Sequence, residues 1–130
     1  WEASTGGINL LLHSLAFGTL KPYVADGANR IKPADMNMTL DVMAHSLVYW
    51  TQDLLDAELL PTGSKVFAMT SAGSHRVWPS YGAVSAAKAA LESHVRQLAV
   101  EIGGFEGPVQ QHGAQCEERG LRQQPSARGL

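Results

Sequence analysis

"SYGAVSAAKAALESHVRQLAVEIG" (residues 80–103) decides how the rest of the chain is read. Val84, Ala87, Leu91, Val95, Leu98 and Ile102 recur at steps of three and four, one apolar stripe of a helix from about Tyr81 to Ile102 with Ser80 as its N-cap. The same stretch sets Tyr81 and Lys88 seven positions apart. At about 100° per residue, both side chains come to nearly one face, about 10 Å apart along the axis. Spacing alone fits two readings: a catalytic pair, or a solvated lysine bonded to Glu92 at i+4 beside an aromatic covering the helix start. In the first, the helix dipole favours negative charge at a phenolate or at an enolate bonded to the phenol, and the ammonium two turns on adds to that. Each unit by which a cation lowers a phenol's pKa favours the charged form by about 1.4 kcal/mol.

Working outward, "SKVFAMTS" (residues 64–71) is a short strand, and "AGSHRVWP" is the loop joining it to the helix. Before it, Leu40, Met43, Leu47, Trp50 and Leu54 mark a long amphipathic helix over residues 35–60, with Val48, Leu55 and Leu59 adding apolar surface off that stripe. Residues 19–33 carry two prolines, a glycine and scattered charges, the composition of a binding loop. "GGINLLLHSLAFG" (residues 6–18) is a continuous apolar run, as strands covered on both faces look. The order strand, helix, strand, helix predicts an α/β layer structure with parallel strands and right-handed crossovers. Residues 1–103 form one unit in this reading. Residues 104–130, rich in Gln, Gly and Arg and without apolar runs, read as a disordered or frame-shifted tail in which no third strand can be found. The chain opens on Trp1 close before a strand, which reads as an internal cut.

Ten basic and twelve acidic residues give a formal charge of -2, which offers no electrostatic footprint for nucleic acid or an anionic membrane. The single cysteine, Cys116, excludes an internal disulfide and fits a reducing, cytoplasmic setting. The apolar run near the N-terminus is too short to span a bilayer. Histidines 13, 45, 75, 94 and 112 show no HxxxH or HExxH spacing, so no metal is expected. The sequon at residues 37–39 begins a helix and reads as chance. Ala83, Ala86, Ala90 and Ser93 make a small-residue edge suited to close packing on a sheet or on a second copy.

Ser71, at the C-terminal end of the second strand, lies where ligands bind in open parallel sheets. It precedes Lys88 by 17 residues, and Val84 holds the position four before that lysine. In these features residues 69–103 closely resemble the short-chain dehydrogenase/reductase superfamily, in its divergent branch of enoyl-acyl-carrier-protein reductases. That branch has Y-x6-K, here Tyr81 and Lys88, in place of Y-x3-K. "INLLLHSLAFG" is similar to the branch's fourth strand, whose His-Ser pair is here His13 and Ser14. The resemblance covers about residues 6–103. It lacks the helix-4 asparagine, near whose place Met43 stands. The Gly-rich dinucleotide loop is not found in this chain.

The resemblance implies a partial Rossmann-like, doubly wound parallel sheet without its N-terminal βαβ cofactor unit. It implies NADH or NADPH as cofactor and an enoyl thioester, on acyl carrier protein or CoA, as substrate. Tyr81 would hydrogen-bond the enolate oxygen, Lys88 would hold the nicotinamide ribose, and Ser71 would be a secondary contact near the carbonyl. His13, Ser14 and Thr70 would line the cofactor, and loop 19–33 would lie beside the acyl chain. The superfamily's helix-mediated association would use the helices at 35–60 and 81–102 in a homo-oligomer. A carbonyl or alcohol oxidoreductase of the same superfamily, or an inactive truncation retaining only an association surface, stays open at this point.

Overall fold

The computed structural model describes residues 6–103, so the reading of 104–130 as a tail falls outside the described residues. In chain order the elements are strand β1 (Leu10–His13), helix α1 (Pro33–Leu40), a π-helical turn (Asp41–His45), helix α2 (Ser46–Asp56), strand β2 (Lys65–Ala68) and helix α3 (Gly82–Gly103). Short 3-10 turns occupy Gly27–Asn29 and Ala72–Ser74. β1 and β2 pair in parallel, Leu11 opposite Val66 and His13 opposite Ala68. The α/β class and the parallel pairing are those that the alternation of elements predicts.

Strand geometry turns alternate residues to opposite faces. Val66 and Ala68 pack against the core of Met43, Ala44, Leu47, Val84, Ala87 and Leu91, and His13, the partner of Ala68, is fully buried. On the other face Leu10 and Leu12 remain 53% and 51% exposed, so β1 is not covered on both faces within the described residues. The apolar run that suggested double burial is real, but the core lies on only one side of the ladder.

α1, the π turn and α2 form one unbroken rod, expected over 35–60 and found from Pro33 to Asp56. Pro33 at the first helical position has φ pre-set for the helix and lacks the N–H that would go unpaired there, so the rod starts earlier than its apolar stripe. At its far end Glu58 has φ 55°, and Leu59 N–H donates to the Leu54 carbonyl at 2.9 Å, a Schellman closure. The buried positions are Thr39, Met43, Ala44, Leu47 and Thr51, whereas Trp50 is 41% exposed. The π turn accommodates one extra residue and so rotates the helix downstream of it relative to a uniform 3.6 period. Both threonines satisfy their hydroxyls on the preceding turn, Thr39 on the Asp35 carbonyl (2.8 Å) and Thr51 on that of Leu47 (2.7 Å).

Loop 19–33 is fastened to this rod. Thr19 N–H donates to Thr39 Oγ1 at 3.0 Å, and Lys21 Nζ meets Asp35 Oδ2 at 3.3 Å. α3 begins at Gly82, and Ser80, with φ 61°, is not its cap. Tyr81 occupies the capping position instead, its carbonyl accepting the Ser85 N–H at 2.9 Å. Among the described residues no helix is long and apolar enough to cross a membrane.

Candidate active site

Lys88 is 4% exposed, which removes the reading of a solvated lysine paired with Glu92. Its Nζ donates to the Met69 carbonyl at 2.7 Å and to the Leu15 carbonyl at 3.1 Å. Those carbonyls lie one residue beyond β2 and two beyond β1, so the ammonium joins the C-terminal ends of both strands. Burial pushes its pKa below the ordinary lysine value. An ammonium has three N–H donors. Two are taken by these carbonyls among the described residues, and the third fits a hydroxyl acceptor such as those of a ribose.

Tyr81 stands two turns away at the start of the same helix. Its N–H donates to the Trp78 carbonyl at 3.2 Å, and its ring meets the Trp78 ring edge-on with centroids 5.5 Å apart. The 3-10 turn after β2 runs directly beneath the phenol. A Cβ on Gly73 would lie 2.5 Å from Tyr81 Cε1 and 3.1 Å from Ser71 Oγ, so the absence of a side chain there lets the two functional groups close on one another. Ser71 Oγ accepts the Gly73 N–H at 3.2 Å, which fixes its hydroxyl on this side of the turn. On the far side of Tyr81, a Cβ on Gly82 would fall 2.4 Å from Cζ of Tyr23, placing loop 19–33 against the helix start.

The remaining expected residues divide. Ser14 is exposed next to Leu15, close to the lysine's carbonyl partner. His13 turns its ring into the core, Nε2 lying 2.8 Å from Ser46 Oγ and the ring meeting Trp50 edge-on at 5.5 Å. The single Ser46 proton goes to the Val42 carbonyl at 2.7 Å, so His13 Nε2 carries the hydrogen and Nδ1 is a bare acceptor with no partner among the described residues. Burial, with the Lys88 charge, holds His13 below the usual histidine pKa. Thr70 donates its hydroxyl to Glu92 Oε1 at 2.6 Å rather than facing away from the protein. Burial raises the Glu92 pKa, but hydrogen bonds from Thr70 and Ser74 and the charges of His75 and Arg96 outweigh it and leave the carboxyl below its ordinary value.

Gly73, Gly82, Tyr23 and Trp78 belong to this site although the sequence reading did not single them out. Gly73 carried a faint signal, a glycine two residues beyond the serine at a strand end; Tyr23, 58 positions from Tyr81, carried none. Met43 is a core residue at 2% exposure, within the π turn. Among the described residues no three His, Cys, Asp or Glu side chains gather as a metal site.

Residues 1–107 match the family model described as enoyl-(acyl carrier protein) reductase. The chain is 33% identical over 92 residues to the enoyl-[acyl-carrier-protein] reductase [NADH] FabI of Buchnera aphidicola, covering 71% of this chain and 35% of that protein. It is 29% identical over 101 residues to the FabI of Aquifex aeolicus, covering 78% and 37%. Among solved structures, the FabI of Candidatus Liberibacter asiaticus superposes with TM-score 0.64 at 30% identity, covering 76% of this chain and 37% of that one. The FabI of Alistipes finegoldii gives 0.65 at 25% identity, covering 81% and 38%. The chain thus spans a little over a third of the length of these relatives.

Proposed function

The chain belongs to the enoyl-(acyl carrier protein) reductase family, and from that premise we propose that it carries the catalytic tyrosine, lysine and serine of an oxidoreductase that reduces a trans-2-enoyl thioester. The observation that carries this reading is the pairing of a buried Lys88 ammonium at both strand ends with Tyr81 and Ser71 meeting over Gly73. When bound, a nicotinamide dinucleotide, NADH in the names of the relatives and NADH or NADPH here, supplies the hydride. Lys88 would hold a ribose hydroxyl with its third N–H. His13, Ser14 and Thr70 border the cofactor through main chain, since the His13 and Thr70 side chains are committed to Ser46 and Glu92.

As hydride reaches the β-carbon, negative charge grows on the thioester oxygen. Tyr81 is built to receive it: its phenol stands at the N-terminus of a 22-residue helix and donates a hydrogen bond to the enolate. Lys88, on the same face, adds its positive charge, and Ser71 contacts the carbonyl side. Half-exposed aromatic side chains stand at this helix start, Trp78 against the Tyr81 ring and Tyr23 against the adjoining Gly82, which suits an acyl chain. The carrier is acyl carrier protein or CoA, and the setting is cytoplasmic. Small residues of α3 (Ala86, Ala90, Ser93) and exposed Tyr49 and Trp50 of α2 suit helix-mediated homo-oligomer formation by the parent enzyme.

The 130-residue chain itself binds the dinucleotide weakly or not at all, because it contains no Gly-rich pyrophosphate loop. A fluorescence titration with NADH is expected to show no saturation, and micromolar binding would contradict this. The equivalents of Tyr81→Phe and Lys88→Ala in a complete relative are each expected to lower kcat/KM for crotonyl thioester at least about tenfold. Unchanged rates in both would remove the site assignment.

A further inference from the structure

The reading above uses Tyr81, Lys88 and Ser71 but leaves a third polar residue of the same helix face unused. Eleven residues at about 100° each bring Glu92 back to within about 20° of Tyr81, three turns on. Its carboxylate is partly buried and faces the exit of β2. There it receives the Thr70 hydroxyl at 2.6 Å, shorter than the bonds that hold the rest of the turn. The Ser74 hydroxyl donates to the Ser71 carbonyl at 3.1 Å and lies 3.0 Å from His75 Nδ1. Thr70 leads directly into the turn that carries Ser71 and Gly73, so the entry to that turn is drawn toward the carboxylate, while Ser74 closes the turn on itself. Gly73 in turn lies beneath the Tyr81 ring with no space for a Cβ.

Resting on the assignment of Tyr81 and Ser71 to the site, we infer that Glu92 is a positioning residue. Through Thr70 it fixes the entry to the turn after β2, and so sets where the Ser71 hydroxyl and the Gly73 backbone stand against the Tyr81 phenol. The turn's own bonds do not suffice for this. Gly73 N–H to Ser71 Oγ and Ser74 N–H to the Ser71 carbonyl close the turn on itself without tying it to α3. Lys88 anchors the Met69 carbonyl just before the turn, and Glu92 adds a second tie at Thr70, one residue nearer Ser71, so turn and phenol are referenced to the one helix that begins at Tyr81. A carboxylate suits the task better than a neutral acceptor, since hydrogen bonds to an ionised oxygen are shorter and stronger.

The test uses the 130-residue chain labelled with 3-fluorotyrosine, the Tyr81 fluorine signal being assigned by its loss in Tyr81→Phe. Glu92→Ala is expected to shift that signal and to speed amide exchange at Gly73 and Ser74 at least tenfold, leaving the amides of β2 within about twofold of the parent chain. Glu92→Gln, which keeps an acceptor for Thr70, is expected to restore most of both effects. An unshifted Tyr81 signal in Glu92→Ala, or turn and strand amides accelerating together, overturns the inference. If Glu92→Ala does not fold, Thr70→Val deletes the same bond from its other end and must reproduce the Tyr81 shift; its failure to do so is equally decisive. None of these readouts depends on turnover, so they separate this inference from the catalytic assignment, which stands or falls on Tyr81→Phe in a complete relative.

Discussion

At the residue scale, Lys88 shows how a charge can be kept in a core. Its pKa is depressed by burial, yet two backbone carbonyls face it, and each is a strand-end group that needs a donor. Gly73 is the opposite case, a residue whose contribution is the atom it lacks. Gly73→Ala would place a Cβ 2.5 Å from the Tyr81 ring and 3.1 Å from Ser71 Oγ, against an aromatic already packed on Trp78. We expect the ring to be displaced at a cost of about 1–3 kcal/mol, the usual scale of overpacking. Urea denaturation measures that loss, and the near-ultraviolet circular dichroism of the Trp78–Tyr81 pair reports the displacement.

At the scale of elements, two junctions carry predictions. The Schellman closure of α2 puts Glu58 in the left-handed region, where a side chain is unfavourable, so Glu58→Gly should raise the unfolding free energy by about 0.5 kcal/mol, read as a higher urea midpoint. Between helices, His45 Nδ1 and His94 Nε2 are hydrogen-bonded at 2.9 Å, joining the π turn to α3. Burial, then the His45 ring, holds His94 below the ordinary histidine pKa, and burial and the Lys88 charge do the same for His13. Folded groups with lowered pKa bind protons less readily than the unfolded chain. Their stabilisation is therefore complete above the unfolded value near ~6.5 and is lost as pH falls from there through the folded values. Urea midpoints should decline on going from about pH 7.5 to about pH 5, and His94→Gln should flatten part of that slope. The order of elements was legible because apolar stripes and chain breakers are local. The histidine pair was not, since 49 residues separate its members. The stripe of the long helix was legible as far as Leu47 in the first turn of α2: Met43 and Leu47 are buried as the period requires, but beyond them Trp50 is exposed and Thr51 buried. Of the residues gathered at the candidate site, Tyr81, Lys88 and Ser71 could be picked out from spacing and resemblance. Tyr23 could not, because loop packing against Gly82 leaves no periodic trace.

For the molecule as a whole, the described residues make a two-stranded parallel ribbon with its core on one face, and stability should follow that asymmetry. Leu47 is fully buried between the rod and α3, so Leu47→Ala removes apolar contact from the only core cluster among the described residues and should cost about 2–5 kcal/mol. Leu12 looks equally apolar in the sequence, but at 51% exposure it has already left half its surface in water. Leu12→Thr introduces a β-branched residue, favoured in strands, and gives up little burial, so it should cost less than about 1 kcal/mol. Urea denaturation of the two variants beside the parent chain measures both. A large loss at Leu12 would mean that something covers the second face of β1 in solution, and the same comparison at two protein concentrations would then show whether that cover is another copy of the chain.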